Sequence, residues 1–419
     1  MTAAEVLGDL VARNRAGAAV GIPSWCTAHA ETLQAILRAH RGGDDAILIE
    51  ATCNQVNQHG GYTGMTPKRF RRFVEDLARD SAIDARRIIF GGDHLGPGPW
   101  KGLPAAAAMA EARVLVRDYV EAGFSKIHLD ASMVCADDGA LSEAGMAERA
   151  AELCEVAAAA RGSAVLCYVI GTEVPVPGGE TEPFDTLAVT RPDAALRTYE
   201  LHRQSFAKRG LMEAFSHVVG IVTQPGVDFG NAQVFPFDRD RAAALSQSIV
   251  RMTGAVFEAH STDYQTEADL RHLVTGHFAI LKVGPELTFA FREAILAMAA
   301  IEQWLKVPAP SRLVEVITEV MDADPRHWRS HVADRPDRHG MRIFGLSDRI
   351  RYYWPNPRLA AAVRQLRLNI DGAAVPPGLV SQFVGQLERG SGGRTLSERI
   401  IQFKVGTVAA KYRSACGSL

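Results

Sequence analysis

Acidic and imidazole side chains follow short apolar runs at several places in this sequence. Apolar residues 88–90 lead into two glycines and then into Asp93 and His94. A carboxylate beside an imidazole offers a proton acceptor and a metal ligand within one step of the chain. Taken alone, the pair also fits a strand end with a capping aspartate and a surface histidine. The pair gains weight because the same arrangement recurs along the chain.

Seven of the eight apolar runs that we interpret as strands end in side chains capable of acid–base or ligand chemistry. Any one of them could instead cap a helix or complete a hydrogen-bond network. Their recurrence at equivalent positions favours a common site. These residues are Glu50, Asn54 and Gln55; Asp93 and His94; His128 and Asp130; Glu173; Gln224; Glu258, His260 and Asp263; and Lys282.

The mixture of side chains indicates a metal site. Two imidazoles, His94 and His260, would bind a divalent ion together with a carboxylate from Glu173 or Glu258, leaving one position open. Such an ion would polarise a sugar carbonyl and stabilise an enediolate. Asp93 would then be placed to move a hydroxyl proton.

The elements that must position these residues alternate between strand and helix patterns. The predicted strands end near residues 24, 50, 93, 130, 171, 223, 260 and 284. Their spacing fits repeated βα units and predicts a closed (β/α)8 TIM barrel, in which all strand ends converge on one face. An open doubly wound sheet is the alternative, but it would usually carry a glycine-rich nucleotide loop after its first strand. Gly284, before the last helix of the barrel, could admit a phosphate at a helix N-terminus.

Lys126, His128 and Asp130 alternate with apolar residues in the fourth predicted strand. In a strand of period two they share one face. A polar face on an internal strand is costly unless it lines a site or belongs to an interior polar network.

The pattern changes after residue 306, where Pro308 and Pro310 interrupt the chain. We assign residues 1–306 to the barrel and residues 307–419 to a helical C-terminal extension. The extension either packs against the barrel or serves dimerisation.

Composition restricts the possible functions. The formal net charge is −2 over 419 residues, which favours neither nucleic acid nor an anionic membrane as a partner. We found no apolar run close to the roughly 20 residues of a membrane span and no signal peptide, so we expect a cytoplasmic protein. The six cysteines form no CxxC pair, which argues against a disulfide framework or a thiolate zinc site.

Seven segments of the chain closely resemble the GatZ/KbaZ family, the Z subunits of class II tagatose-1,6-bisphosphate aldolase. The resemblance implies a TIM barrel related to the zinc-dependent class II aldolases. It also implies a non-catalytic partner that supports a separate aldolase subunit. The segments are residues 50–58, 61–67, 91–97, 126–132, 171–180, 258–265 and 348–355.

The resemblance also implies roles for individual residues. In the aldolases an Asp-His pair ends the third strand, matched by Asp93 for proton transfer and His94 for metal binding. Glu173 matches a glutamate that ends the fifth strand of the aldolases, and Glu180 matches a glutamate in their mobile Gly-Gly-Glu loop. His260 matches a histidine that ends their seventh strand. The sixth strand differs, because Thr223 and Gln224 stand where the aldolases place a metal-binding histidine.

Some similar proteins are described as ketose 4-epimerases that interconvert fructose and tagatose with a metal, and others as tagatose 6-phosphate kinases. A kinase lacks support because the sequence contains no P-loop. We therefore expect a divalent metal, with zinc as the expected ion. The expected partners are a ketose or ketose phosphate, a class II aldolase catalytic subunit and further copies of the chain in a homo-oligomer.

Together these arguments give three groups of predicted site residues. The predicted catalytic residues are Asp93, Glu180 and Glu258; the predicted metal ligands are His94, Glu173 and His260; and the predicted substrate-binding residues are Glu50, Asn54, Gln55, His128, Asp130, Gln224, Asp263, Lys282 and Gly284.

Overall fold

A computed structural model describes residues 2–171, 187–332, 337–387 and 393–417. In these residues eight parallel strands close into a barrel in the order β1-β10-β9-β6-β5-β4-β3-β2, which confirms the predicted fold. Ser24 of β1 pairs with Lys282 of β10 on one side and Leu48 of β2 on the other, and so closes the ring. The strands are β1 (Ile22–Trp25), β2 (Ile47–Thr52), β3 (Ile88–Leu95), β4 (Lys126–Leu129), β5 (Cys167–Ile170), β6 (Val218–Thr223), β7 (Asp228–Phe229), β8 (Val234–Phe235), β9 (Val256–Ala259) and β10 (Phe278–Val283).

Strands β7 and β8 lie outside the barrel and form a small antiparallel hairpin in the loop after β6. Helices surround the barrel and continue into the C-terminal part of the chain. The described helices are α1 (Ala3–Arg15), α2 (Ala30–Ala39), α3 (Pro67–Asp80), α4 (Ala105–Glu121), α5 (Glu143–Ala160), α6 (Pro192–Lys208), α7 (Met212–Phe215), α8 (Arg239–Ser248), α9 (Glu267–Thr275), α10 (Pro285–Glu302), α11 (Leu313–Ala323), α12 (Arg329–Val332), α13 (Arg338–Phe344), α14 (Pro357–Gly372), α15 (Pro377–Phe383) and α16 (Leu396–Cys416). Within the described residues, no helix combines the length and the apolar character that crossing a membrane requires.

Helix α1 covers the amino end of the barrel. Its apolar stripe contains Leu7 and Leu10, which are fully buried against inward-facing aliphatic residues such as Val169 and Ile280. The side-chain amide of Asn14 donates to the carbonyls of Val20 and Val274, each at 2.9 Å, and so ties the end of α1 to loops at this face. The amino end of the barrel is therefore filled with packed side chains.

The C-terminal helices pack against the barrel. Helix α16 contacts α2, α9, α10 and β1. The amide of Gln402 donates to the carbonyl of Ala35 at 3.0 Å, and Arg367 of α14 pairs with Glu31 of α2 at 2.8 Å. The segment between α13 and α14 reaches the carboxyl end of the barrel, where Tyr264 donates to the carbonyl of Leu346.

Gly91 in β3 makes room for a side chain inside the barrel. It is in register with Glu50 of β2, and a Cβ atom at Gly91 would lie 2.6 Å from the Glu50 Cγ. We expect Gly91→Ala to lower the free energy of unfolding by about 1–3 kcal/mol, because the buried glutamate cannot move without losing its partners. Urea denaturation measures this loss. Gly102→Ala is the matched control, since a Cβ there meets no atom of the described residues within 4 Å. Equal stability of the two variants would contradict the prediction.

Candidate functional site

Two buried lysines and three carboxylates connect five strands at the centre of the barrel. The Lys126 Nζ lies 2.8 Å from a Glu50 carboxylate oxygen and 2.7 Å from one of Glu258. The Lys282 Nζ pairs with Glu50 and lies 3.0 Å from Asp93. Because these groups are almost fully buried, their charges are compensated by one another rather than by water.

The charges in this cluster hold each other ionised. Burial alone would lower the pKa of Lys126, but Glu258 and Glu50 outweigh it and raise that pKa. Burial would likewise raise the pKa of Glu258, but Lys126 and Lys282 bring it well below its usual range. The pKa of Lys282 is raised in the same way, against burial, by Asp93 and the neighbouring acids. Neither lysine is therefore suited to act as a neutral amine nucleophile.

Three imidazole rings meet beside this cluster. The ring centroids of His94, His128 and His260 are separated by 5.0–5.3 Å. The His128 Nδ1 lies 2.9 Å from Asp93 Oδ1, and the His260 Nε2 lies 3.0 Å from Glu258 Oε1. Burial lowers the pKa of His260 to about 4, so this ring is neutral near pH 7. A neutral imidazole is the form that binds metal ions.

His94 is held in a defined orientation. Its φ of +51° places a non-glycine residue in the left-handed region, where such residues concentrate at functional sites. The Nδ1 lies 2.8 Å from Asp130 Oδ2, which leaves the Nε2 directed toward Asp93 at 3.7 Å. Burial would lower the pKa of His94, but Asp93 and Asp130 raise it. A carboxylate on the remote ring nitrogen is the usual support of a metal-binding histidine.

Four of these residues are arranged as a metal-binding group would be. Asp93, His128, Glu258 and His260 each offer one ligand atom, and these atoms all lie within 4.8 Å of one another. The Nε2 of His128 is buried and has no hydrogen-bond partner in the part of the chain that the structure describes. An unpartnered imidazole nitrogen among carboxylates and a second imidazole fits a divalent cation, so the residues present are compatible with a metal.

A cavity of about 400 Å³ opens above this group at the carboxyl end of the barrel. That volume falls within the range of about 300–1000 Å³ typical of small-molecule sites. Its wall includes eight of the residues that sequence reasoning assigned to the site: Asn54, Gln55, Asp93, His94, His260, Asp263, Lys282 and Gly284.

The other predicted residues are placed differently. Glu50, His128, Asp130 and Glu258 are buried and do not line the cavity, but each contacts a residue that does or that belongs to the metal-binding group. Gln224 uses its side chain in its own turn, where Oε1 accepts from the amides of Gly226 and Val227 at 2.7 and 3.0 Å. Glu173 and Glu180 lie outside the described residues, and their predicted roles stay predictions.

Asp263 caps the last barrel helix. Its Oδ1 accepts from the amides of Gly284 and Glu286 at 3.0 and 2.8 Å, so a carboxylate of the chain already occupies the N-terminus of α10. Burial is the main cause that raises the pKa of Asp263 to about 7, and the nearby charge of Glu286 adds to it. The amide of Gly284 is therefore not free for the phosphate that the sequence suggested there.

Sequence reasoning missed several residues of the cavity wall. Tyr62 comes from the loop between β2 and α3, and Arg351, Tyr352 and Trp354 come from the C-terminal extension. The sequence offered one signal for the latter group, since residues 348–355 combine arginines with adjacent aromatic side chains. Nothing in the local sequence connects that segment to the strand ends of the barrel.

His29 in the cavity wall gives the fold a dependence on pH. Its Nδ1 accepts from the amide of Thr32 and caps α2, and burial lowers the pKa of His29 to about 4. A histidine with a depressed folded-state pKa stabilises the fold above its unfolded pKa of about 6.5 and loses that contribution as pH falls toward 4. We expect wild type to lose stability relative to His29→Asn over that range, because asparagine keeps a capping oxygen but does not titrate.

Thermal unfolding of the two proteins at pH 4.5, 5.5 and 7.5 measures this difference. His272→Asn is the control, since that histidine is exposed. A stability difference between wild type and His29→Asn that does not change with pH would refute the assignment.

Comparisons with known proteins place the whole chain in one family. A family model described as D-tagatose-1,6-bisphosphate aldolase subunit GatZ/KbaZ-like matches residues 7–417. The chain is similar to a protein of Klebsiella pneumoniae named D-tagatose-1,6-bisphosphate aldolase subunit GatZ, with 48% identity over 98% of this chain and 99% of the relative. A protein of the same name from Escherichia coli O1:K1 is 47% identical over 97% of this chain and 99% of its own length.

One solved structure has a fold closely similar to that of this chain. The crystal structure titled as a probable tagatose 6 phosphate kinase from Sinorhizobium meliloti 1021 has a TM-score of 0.85 and 46% identity to this chain. It covers 94% of this chain and 100% of its own. With the barrel, the clustered polar residues and the C-terminal helices all inside the matched region, the chain belongs to the GatZ/KbaZ-like family.

Proposed function

We propose that this chain is a Z-type subunit of D-tagatose-1,6-bisphosphate aldolase, acting with a separate class II aldolase catalytic subunit in carbohydrate catabolism. The observation that carries this proposal is the end-to-end match to relatives named as that subunit, at 47–48% identity over nearly the full length of both chains. A match of this extent includes the surfaces of the barrel as well as its interior, so a shared partner is the economical inference.

The cavity supports the further proposal that the subunit binds a sugar phosphate or a related ketose. Carboxylate, imidazole and amide side chains converge in its wall, including Asn54, Asp93 and His260. A few convergent polar groups in a cavity of this size are typical of small-molecule recognition.

We also propose that the barrel centre holds a divalent metal, with zinc as the expected ion. Asp93, Glu258, His128 and His260 would hold it, with His94 oriented toward the same point by Asp130. Asp93 and Glu258 would bring negative charge to such a dication. When bound, such an ion polarises a ketose carbonyl.

A second function is favoured by this same group of ligands. A subunit that only supports another protein has no need of imidazoles and carboxylates converging below a cavity. The chain could therefore act by itself as a metal-dependent ketose 4-epimerase, in which Asp93 would handle the proton of a substrate hydroxyl. The specific observation in favour is the buried Nε2 of His128, which has no hydrogen-bond partner among the described residues.

One set of experiments separates the two functions. The purified chain is analysed for bound metal and incubated with fructose or tagatose, and conversion at C4 is followed by NMR. In parallel, cleavage of tagatose 1,6-bisphosphate by a class II catalytic subunit is assayed with and without this chain. A gain in aldolase activity that requires the chain supports the accessory subunit, and C4 conversion by the chain alone supports the epimerase. Failure of both assays would overturn the proposed function.

A further inference from the structure

Two arginines of the C-terminal extension face one tyrosine beside the cavity. The guanidinium carbon of Arg351 lies 4.5 Å from the ring centroid of Tyr352, and that of Arg349 lies 4.7 Å from the same ring. The Nη2 of Arg351 also donates to the Tyr352 hydroxyl at 2.9 Å. Tyr352 therefore concentrates two positive charges in a small region.

Neither arginine has a carboxylate at ion-pairing distance among the described residues. Asp348 is the acid closest in sequence, but it pairs with Arg292 at 3.4 Å and accepts from Thr288 Oγ1 at 2.6 Å. Arg351 donates instead to the carbonyls of Ser347 and Asp348, and Arg349 donates to that of His327. Among the described residues, carbonyl oxygens and ring faces rather than carboxylates therefore meet the two positive charges.

Arg351 lies in the wall of the cavity, and Tyr352 and Tyr62 line it as well. The rings of Tyr62 and Tyr352 meet edge to face, with 4.9 Å between their centroids. A guanidinium has five N–H donors, and three hydrogen bonds leave part of that capacity for a ligand. The positive group thus shares one cavity with Asp93 and His260.

The position that sequence reasoning favoured for a phosphate is already filled. At the N-terminus of α10, Asp263 accepts the hydrogen bonds that an anionic ligand would otherwise receive. A second anion there would have to compete with Asp263 for the amides of Gly284 and Glu286. An anionic substrate group therefore finds its favourable partner at the arginine side of the cavity.

We propose that Arg351, with the hydroxyls of Tyr62 and Tyr352, forms an anion subsite that takes the phosphate of a phosphorylated ketose. Arg349, whose guanidinium carbon lies 4.7 Å from the centroid of the Tyr352 ring, adds a second positive charge beside the subsite. The inference rests on the proposed function in one respect, that the cavity receives a ketose. It makes the phosphate, rather than the sugar, the group that decides which ketoses bind.

Binding to the isolated chain tests the subsite without any catalytic partner. Isothermal titration calorimetry is carried out with inorganic phosphate, fructose 6-phosphate and fructose, on wild type and on Arg351→Gln. We expect Arg351→Gln to weaken binding of phosphate and of the phosphorylated ketose by about 10- to 100-fold, the effect of losing one or two charge-assisted hydrogen bonds. Arg203→Gln is the matched control, since Arg203 is a surface residue of α6 paired with Glu200.

Arg351→Lys keeps the positive charge and covers the case in which Arg351→Gln does not fold. It is expected to bind more weakly than wild type, because lysine lacks the planar fork that matches phosphate. Wild-type affinity for phosphate in both variants, or equal affinity of wild type for fructose and fructose 6-phosphate, would overturn the subsite. These readouts do not depend on aldolase rescue or C4 conversion, so the subsite and the proposed function fail separately.

Discussion

Replacing Lys126 with methionine is expected to destabilise the protein by about 3–5 kcal/mol, the usual result of breaking a buried ion pair on one side. The Lys126 Nζ lies between Glu50 and Glu258 on opposite parts of the barrel wall, and all three side chains are fully buried. Glu50 keeps Lys282 as a direct partner, whereas Glu258 keeps the His260 imidazole at 3.0 Å and the charge of Lys282 without a direct ion pair among the described residues. The cost therefore falls mainly on the incompletely compensated carboxylate of Glu258.

The double variant Lys126→Met/Glu258→Gln tests that explanation. Removing the unpaired charge as well should recover a large part of the lost stability, because the glutamine needs no counter-ion. Urea denaturation of the single and double variants gives the coupling, and Lys68→Met on the exposed face of α3 is the control. If the free energy of unfolding of Lys126→Met lies within about 1 kcal/mol of the wild-type value, the ion pairs of Lys126 do not stabilise the barrel centre.

Replacing His260 with alanine is expected to lower the affinity for a divalent metal by at least about 100-fold, more than the loss of an outer residue costs. His260 provides one of the four ligand atoms that lie within 4.8 Å of one another. Asp130→Asn is expected to lower the metal affinity by about 10- to 100-fold. It weakens the contact that orients the His94 ring but removes no imidazole. Competition with a chromophoric chelator measures both affinities.

Parallel variants decide which imidazoles bind. The sequence and the family resemblance favour His94 as a metal ligand. The structure instead groups His128 with Asp93, Glu258 and His260. His94→Ala and His128→Ala should both lose metal if all three rings contribute, and the one that keeps wild-type metal content is excluded as a ligand. His272→Ala, at an exposed position, should leave the metal content unchanged. Wild-type metal content in every variant would refute a metal at the barrel centre.

Much of the barrel could be predicted because its rules are local and repetitive. Each βα unit shows an apolar run and then polar residues, and parallel strands must bring their carboxyl ends to one face. That argument is enough to bring Asp93, His94 and His260 together from the sequence alone. It fails for the β7–β8 hairpin, since strands of two residues are too short to show a period.

The third imidazole shows a different limit. Sequence reasoning looked for it at the end of the sixth strand and found Thr223 and Gln224. The structure supplies a third ring as His128, which lies inside β4 rather than after it. A barrel interior is surrounded by all its strands, so a side chain from another strand can reach the same centre. Whether a side chain points into the barrel therefore predicts a candidate metal ligand better than the number of the strand that carries it.

The sequence could not predict the place of Arg351 in the cavity wall for another reason. Its contact with the cavity depends on how residues after 306 return to the barrel mouth, which involves contacts such as that of Tyr264 with Leu346. Such long-range packing leaves no periodic trace in the sequence. The side chains of Asp263 and Gln224 also accept from nearby backbone amides, a local role that the sequence does not distinguish from ligand binding.

The packing of α1 across the amino end of the barrel has a kinetic consequence. Leu7 and Leu10 fill that end, so within the described residues a ligand at the barrel centre communicates with solvent through the carboxyl face. Entry and departure then use the same opening, and a departing molecule must clear it before the next can arrive. For the ketose 4-epimerase proposed above, product and substrate would share this opening and this cavity, so product should inhibit competitively rather than uncompetitively in steady-state turnover.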